Sequence, residues 1–302
     1  MKKVVGLVAA LVVVLGIAGC AGLHAVDASA APHAQTLVPM KVATSTKTYS
    51  MEVAGLKRRY EVIAPTKGLP KSAPVIVMLS GIGATVAGEM SRDYLVPYAS
   101  YNEAEIVYPV AVDQSWNAIG CCGKASTDKV NDLAFMKALV AALDPGHARA
   151  IDVIGYSNGA RLAYRVVCTD PGLFDAYAMV KGGPTGGCDI TKPVTIEQLA
   201  SLDDPEMPYK PGDHVDNKMP EPPVTTIMTE LHAADKCPAT NAVVHSGTVT
   251  LTTWSSCGDG TRLASAVWKD GVHSFPRPPA SVPAASQVAW SFFTKTPLAP
   301  LP

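Results

Sequence analysis

Short apolar runs alternate with segments of helical periodicity along most of this chain. Residues 74–79 and 151–154 are mostly apolar runs of a length typical of parallel strands buried on both faces. Residues 130–143 and 160–168 instead carry apolar side chains at helical spacing. The pattern predicts strands at 49–53, 57–64, 74–79, 104–110, 151–154, 176–180, 194–202, 248–254 and 263–268, and helices at 130–143, 160–168, 225–234 and 281–293. Strands that alternate with helices indicate an α/β fold, with a mostly parallel central sheet and helices on both faces.

The N-terminal segment differs from the rest and is expected to lie outside this fold. Two lysines precede the apolar residues 4–18, which is the pattern of a secretory signal. The segment ends in Ile17-Ala18-Gly19-Cys20, which resembles a bacterial lipoprotein lipobox. We expect residues 1–19 to be a signal peptide, Cys20 to be lipidated, and residues 20–44 to be a flexible tether. The alternative is ordinary cleavage, at an Ala-x-Ala site such as Ala28-Ser29-Ala30, which would give a secreted protein.

Composition and charge narrow the classes of function. The 302 residues, 48% of them hydrophobic, can form one large α/β domain, predicted at 45–295, and no internal repeat or second domain is evident. The formal net charge is -1 and no basic run occurs, so no nucleic-acid partner is expected. The expected partner is a membrane, to which the lipid on Cys20 would attach the protein.

Once Cys20 is set aside, six cysteines remain: Cys121, Cys122, Cys168, Cys188, Cys237 and Cys257. Export would place them in an oxidising compartment, where disulfides form. The chain has no C-x-x-C pattern and its histidines are scattered, so no metal site is expected. Cys237 and Cys257 bracket a loop of about twenty residues and are expected to form a disulfide. The other four permit three pairings. Because Cys168 ends a predicted helix, we expect it to bridge to Cys121 or Cys122, with Cys188 taking the other.

The main chemical signal is the G-x-S-x-G pattern Gly155-Tyr156-Ser157-Asn158-Gly159, which lies between a predicted strand and a predicted helix. In that setting the pattern predicts a nucleophile elbow, in which Ser157 occupies a strained turn. Glycine is needed on both sides because larger side chains would collide with the neighbouring strand and helix. The helix N-terminus behind Ser157 favours developing negative charge.

A serine nucleophile needs a base and an acid, which an α/β-hydrolase supplies in the chain order Ser, acid, His. His273 directly follows the last predicted strand, where the base is expected. The alternatives, which lie in a proline-rich segment, on a predicted helix and before a strand, are His214, His232 and His245. The acid is expected after the strand at 194–202, at Asp203 or Asp204. The expected oxyanion hole consists of the backbone N–H groups of Asn158 and Ile82.

Four segments resemble the esterase/poly(3-hydroxybutyrate) depolymerase family, which is close to the carbohydrate esterase family 1 feruloyl and acetylxylan esterases. Residues 115–123 are similar to its W-N-A-x-x-C-C-G segment, residues 155–168 to G-x-S-N-G…A-Y-R…C, residues 192–209 to R-P-V…H-G-T-A-D-P-x-V-P-Y, and residues 270–276 to G-G-x-H-x-W-P. The third match has no gap and assigns the acid to Asp204. The resemblance implies an α/β-hydrolase fold and ester hydrolysis without a cofactor.

Two departures from the family pattern accompany this resemblance. Ser80-Gly81 stands where the family has His-Gly, and residues 200–203 stand where it has H-G-T-A. The first alters the support of the oxyanion loop, and the second alters the packing under the expected acid, Asp204.

The sequence predicts a lipid-anchored, extracytoplasmic serine esterase that acts on a small-molecule or polymeric ester. The alternative hypothesis is a hydrolase-fold lipoprotein with weak or no catalysis that binds a cell-envelope glycan or lipid.

Trp116 and Tyr156 are the candidate pocket residues. For Trp116 a second interpretation is equally open, in which it is a large residue packed beside the cysteine pair Cys121-Cys122.

Overall fold

The computed structural model describes residues 41–101, 103–216, 221–270, 272–278, 282–300 and 302. The expected signal peptide, Cys20 and most of the expected tether lie outside these residues. Within the described part of the chain, the strands are β1 (Thr44–Val53), β2 (Leu56–Pro65), β3 (Val75–Leu79), β4 (Glu105–Pro109), β5 (Ile151–Tyr156), β6 (Ala176–Val180), β7 (Ile196–Ser201), β8 (Ala242–Ser246), β9 (Val249–Trp254) and β10 (Leu263–Trp268). The helices are α1 (Val86–Met90), α2 (Val96–Ser100), α3 (Gly123–Thr127), α4 (Asp132–Leu143), α5 (Asn158–Thr169), α6 (Val224–Ala234) and α7 (Ala285–Thr294).

All of these strands belong to one sheet, with the order β1-β2-β4-β3-β5-β6-β7-β10-β9-β8. The six central strands, from β4 to β10 in that order, run parallel to their neighbours. An antiparallel hairpin flanks them at each edge, β1–β2 on one side and β8–β9 on the other. The prediction of a mostly parallel central sheet is confirmed.

The central strands are buried on both faces because successive side chains enter two different hydrophobic clusters. In β5, Val153 belongs to the cluster that contains Phe135 of α4 and Leu162 of α5. The next residue, Ile154, belongs to the cluster that contains Val288 of α7. Helices therefore cover both faces of the sheet, which is the arrangement that the continuous apolar runs predicted.

Some elements differ from the sequence-based expectation. The edge strand β8 was not predicted, and its residues are exposed along almost its whole length, so it lacks the apolar pattern of a buried strand. The short helices α1, α2 and α3 have five residues each and are too short to give a periodic signal. In the described segments, no helix has the length and apolar character needed to cross a bilayer.

The cysteine pairs of the described residues are Cys237–Cys257, Cys168–Cys188 and Cys121–Cys122. The first pairing was predicted and is confirmed. The expected bridge from Cys168 to Cys121 or Cys122 is wrong. Both sulfurs of the Cys121–Cys122 pair lie 3.6 Å from Arg161 Nη1 in the first half of α5. Cys168 is seven residues further along α5 than Arg161, roughly 10 Å away along the helix axis, and it pairs there with Cys188, at a Cα–Cα distance of 5.5 Å.

Candidate active site

Loops at the carboxyl-terminal ends of the parallel strands bring the candidate residues together. Ser157 follows β5, Asp204 follows β7, and His273 follows β10. β7 adjoins β10, and only β6 separates β7 from β5. Because the carboxyl ends of neighbouring parallel strands meet at the same edge, residues that are far apart in sequence converge there.

Ser157 occupies the turn between β5 and α5 in a strained backbone conformation. Its φ is 51° and its ψ is -114°, a region that residues with a Cβ atom rarely adopt. Two backbone hydrogen bonds fix the turn: Ser157 N–H donates to Val180 O at 2.9 Å, and Arg161 N–H donates to Ser157 O at 3.1 Å. The end of β6 and the first turn of α5 therefore hold the serine in this conformation.

The two glycines of the motif allow close packing around that turn. A Cβ atom on Gly155 would lie 2.7 Å from the backbone nitrogen of Ala160 in α5. A Cβ atom on Gly159 would overlap the carbonyl group of Leu79, the last residue of β3. Glycine is therefore required at both positions for α5 to pack this closely on the sheet.

A continuous chain of hydrogen bonds links Asp204, His273 and Ser157. His273 Nε2 lies 3.0 Å from Ser157 Oγ. His273 Nδ1 lies 2.9 Å from Asp204 Oδ1 and 3.1 Å from Oδ2. A carboxylate only accepts hydrogen bonds, so this geometry places the ring proton on Nδ1 and leaves Nε2 facing the serine hydroxyl.

The turn after β7 selects between the two adjacent aspartates. Asp204 is 4% exposed, and its Oδ1 also accepts the backbone N–H groups of Glu206, at 2.8 Å, and Met207, at 3.2 Å. Asp203 is exposed on the same turn. The structure therefore places Asp204, and not Asp203, against His273.

The other candidate histidines lie away from Ser157. His214 is exposed and has Asp216 as its neighbour, at 3.6 Å. His232 Nε2 lies 3.1 Å from the carbonyl oxygen of Pro238, and His245 Nδ1 lies 3.1 Å from Thr250 Oγ1. His273 is the candidate that the fold brings to the serine.

Lys181 supports the loop that carries His273, a contact that the sequence did not suggest. Its side chain is completely buried, and its Nζ donates to the carbonyl oxygen of Val272 and lies 3.2 Å from Asp270 Oδ1. Ser201 Oγ also donates to Asp270 Oδ1. Burial lowers the pKa of Lys181, and the neighbouring Asp270 carboxylate opposes that effect.

Trp116 and Tyr156, the two candidate pocket residues, are both buried. Trp116 is 0% exposed and its Nε1 donates to the carbonyl oxygen of Ser80 at 3.0 Å. Of the two interpretations left open for Trp116, packing fits this enclosed side chain and a pocket-lining role does not. Tyr156 is nearly buried, its hydroxyl donates to the carbonyl oxygen of His273 at 3.1 Å, and its ring meets the edge of Phe275. Tyr156 therefore contacts the loop that carries His273.

Two backbone segments beside Ser157 carry the expected oxyanion donors, the start of α5 at Asn158 and the loop after β3 at Ile82. Asn158 is the first residue of α5, and the N–H groups of a first helical turn have no acceptor within the helix. On the other side, a Cβ atom on Gly81 would lie 3.6 Å from Ser157 Cβ, so the loop that contains Ile82 passes directly beside the serine.

Glu89 of α1 is buried behind this loop. Burial raises the pKa of Glu89 to about 7, against the opposing effects of Arg92 and of the backbone N–H of Gly81. Arg92 Nη2 lies 3.2 Å from Glu89 Oε2.

Among the described residues, no group of three or more His, Cys, Asp or Glu side chains is placed to hold a metal ion.

No protein-family model matches this chain, and no curated protein matches it. Solved structures do match. An acetyl xylan esterase from Aspergillus awamori is 13% identical with a TM-score of 0.54, over 78% of this chain and 96% of that one. A proposed dienelactone hydrolase from Klebsiella pneumoniae is 14% identical with a TM-score of 0.52, over 84% of this chain and 98% of that one. A thermostable esterase is 18% identical with a TM-score of 0.50, over 83% of this chain, and this chain spans 60% of its length.

At these identities the likeness shows the fold alone. Together with the strand order and the strand–serine–helix turn, it shows that this chain has the α/β-hydrolase fold.

Proposed function

We propose that this protein is a serine esterase that hydrolyses carboxylic esters through an acyl-enzyme. Ser157 is the nucleophile, His273 the general base and acid, and Asp204 the residue that orients His273. One observation carries the proposal: the hydrogen bonds from Asp204 through His273 to Ser157 Oγ, with the serine on a strained strand–helix turn. A nucleophile within hydrogen-bond reach of a base that a third group orients is the arrangement of nucleophilic catalysis.

Acylation begins when Ser157 Oγ attacks the ester carbonyl carbon while its proton moves to His273 Nε2. Asp204 accepts the Nδ1–H bond and stabilises the imidazolium that forms. His273 then delivers the proton to the departing alkoxide. In the second half, His273 takes a proton from water, the resulting hydroxide attacks the acyl-enzyme, and Ser157 regains its proton as the carboxylic acid leaves.

The backbone N–H groups of Ile82 and Asn158 stabilise the negative charge on the former carbonyl oxygen. Donors that are already oriented before the charge develops lower the barrier without reorganisation during the reaction. The position of Asn158 at the N-terminus of α5 adds the favourable end of the helix dipole.

The family proposed for this chain is the esterase/poly(3-hydroxybutyrate) depolymerase family, which is close to the feruloyl and acetylxylan esterases. It rests on the motif segments 115–123, 155–168, 192–209 and 270–276. The names of two structurally similar proteins, an acetyl xylan esterase and a thermostable esterase, are in line with an ester as the substrate class.

The absence of the family's histidine before Gly81 raised the alternative of a weakly active binding protein. Here the carbonyl oxygen of Ser80 accepts the indole N–H of Trp116, so the loop backbone has an anchor that does not depend on a histidine side chain. This contact favours the esterase over the binding protein.

The proposed esterase is exported and held at the membrane by a lipid on Cys20. Cys20→Ser should move the protein from the membrane fraction to the soluble fraction, because two acyl chains supply stable anchoring that one chain does not. Fractionation followed by immunoblotting measures this. A Cys20→Ser protein that stays in the membrane after signal cleavage would contradict the lipid anchor and leave the esterase proposal intact.

The esterase proposal is tested by hydrolysis of a panel of aryl esters of increasing acyl length. Ser157→Ala should lower kcat by several orders of magnitude at every chain length while the circular dichroism spectrum is retained. Ser50→Ala, on the exposed face of β1, is the matched control and should retain wild-type rates. Full activity in a folded Ser157→Ala protein would exclude Ser157 as the nucleophile.

A further inference from the structure

Trp116 contacts both segments that carry the proposed oxyanion donors. It is fully buried. On one side it meets the loop after β3, which contains Ile82, and on the other it meets the start of α5 at Asn158. It reaches the two segments through different groups, the indole N–H towards the loop and the backbone towards the helix.

The side-chain amide of Asn158 is held at both polar atoms by the backbone of Trp116. Trp116 N–H donates to Asn158 Oδ1 at 2.7 Å, and Asn158 Nδ2 donates to the carbonyl oxygen of Trp116 at 3.1 Å. Asn158 is 0% exposed, so water does not compete for these bonds. The pair of bonds fixes the first residue of α5, whose backbone N–H is one proposed donor.

The loop that carries the other donor is anchored on both sides of Ile82. Before it, the carbonyl oxygen of Ser80 accepts Trp116 Nε1–H at 3.0 Å. After it, Gly83 N–H donates to the carbonyl oxygen of Gln114 at 2.8 Å. Both anchors come from the short chain segment that contains Trp116, so one segment holds the peptide of Ile82 and the first turn of α5 in a fixed relation.

We propose that Trp116 is a positioning residue that sets the separation of the two oxyanion donors. The inference rests on the proposed ester hydrolysis at Ser157. Negative charge on the carbonyl oxygen develops only as the tetrahedral intermediate forms, so a change in donor spacing weakens the transition state more than it weakens ester binding. Loss of the indole N–H therefore lowers kcat and leaves KM nearly unchanged.

Trp116→Phe tests this, because it deletes the indole N–H and keeps the backbone bonds to Asn158. We expect kcat for an aryl ester to fall about tenfold, less than the 10²–10³-fold loss typical when a donor is removed outright. A trifluoromethyl ketone forms an adduct with Ser157 that carries an oxyanion. Its affinity should fall by the same factor as kcat, whereas KM should change by less than about twofold.

Trp290→Phe is the control for the loss of an indole. Trp290 lies in α7, is half-buried, and its ring stacks on Tyr98 of α2 at a centroid distance of 4.7 Å. It should keep wild-type kcat and ketone affinity. Equal losses of kcat and ketone affinity in both variants, or no loss in Trp116→Phe, would overturn the proposal.

Asn158→Ala tests the other half of the arrangement and stands in if Trp116→Phe does not fold. It removes both side-chain bonds to Trp116 and keeps the Asn158 backbone N–H, so the same selective loss of kcat and ketone affinity is expected. Wild-type values for both quantities in folded Asn158→Ala would overturn the proposal. A wild-type protein that neither hydrolyses esters nor binds the ketone would contradict the esterase itself, which separates the two failures.

Discussion

Lys181 and Val272 are joined by a hydrogen bond from a completely buried ammonium group to a backbone carbonyl oxygen. Val272 directly precedes His273, and Lys181 directly follows β6 at the same edge of the sheet. Lys181 Nζ also lies 3.2 Å from Asp270 Oδ1. One cation therefore ties the end of β6 to the loop that places the histidine.

Lys181→Met should destabilise this loop and slow ester hydrolysis. Methionine fills a similar volume without the ammonium group. Its loss takes a charged donor from the Val272 carbonyl and from Asp270, whose side chain is 22% exposed, and should cost about 1–3 kcal/mol of unfolding free energy. A misplaced His273 loop should also lower kcat by about tenfold or more. Urea unfolding and steady-state kinetics measure the two effects. Lys57→Met, at an exposed position, should change neither, and a wild-type kcat in Lys181→Met would show that Lys181 does not position His273.

Asp204→Asn should keep the fold and lower kcat by roughly 10⁴, the loss measured for the same change in a well-studied triad. An amide at this position no longer holds the Nδ1–H tautomer of His273. Asp203→Asn is the matched control on the same turn and should retain near wild-type rates because Asp203 is exposed. A reversal of these two results would move the acid to Asp203 and contradict the observed hydrogen-bond chain.

Stability should decrease as pH rises, because the folded protein retains protons on buried carboxyl groups. Burial raises the pKa of Glu197 in β7 to about 8, with Arg262 opposing the shift, and burial raises the pKa of Glu89 and Asp152 to about 7. The pKa of a glutamate in an unfolded chain is about 4.3. Between these two pKa values the folded state binds more protons than the unfolded chain. The stabilisation that these protons give the folded state is therefore complete below the unfolded pKa and is lost as pH rises through the folded pKa.

Glu197→Gln should flatten this decline. The midpoint of urea unfolding, measured from roughly pH 5 to roughly pH 9, should fall less steeply in Glu197→Gln than in the wild type. Exposed Glu230→Gln should keep the wild-type slope. A wild-type midpoint that rises across this range would contradict the retained protons.

The sequence predicted the parts of the fold that depend on local pattern. The apolar run in β5, the glycines around Ser157 and the helical spacing of α5 are properties of consecutive residues, so the strand–turn–helix could be recognised without coordinates. The place of His273 followed from the chain order of an α/β-hydrolase and its position after the last parallel strand.

Contacts between distant segments could not be predicted in this way. A lysine after an apolar strand is usually solvated, and the burial of Lys181 depends on Asp270, 89 residues further along the chain. The partner of Cys168 depends on which loop meets the end of α5, and four cysteines alone permit three pairings. Trp116 could be given either a pocket role or a packing role because its burial is set by the loop after β3 and by α5 together.

The central claim is that Ser157 is a nucleophile activated by His273, and labelling with a fluorophosphonate tests it most directly. Only an activated serine reacts rapidly with this reagent, and peptide mass spectrometry locates the adduct. The account predicts one stoichiometric adduct on Ser157 in the wild type, none in Ser157→Ala, and a much slower reaction in Asp204→Asn. A folded wild-type protein that remains unlabelled, or that carries the adduct on another serine, would contradict it.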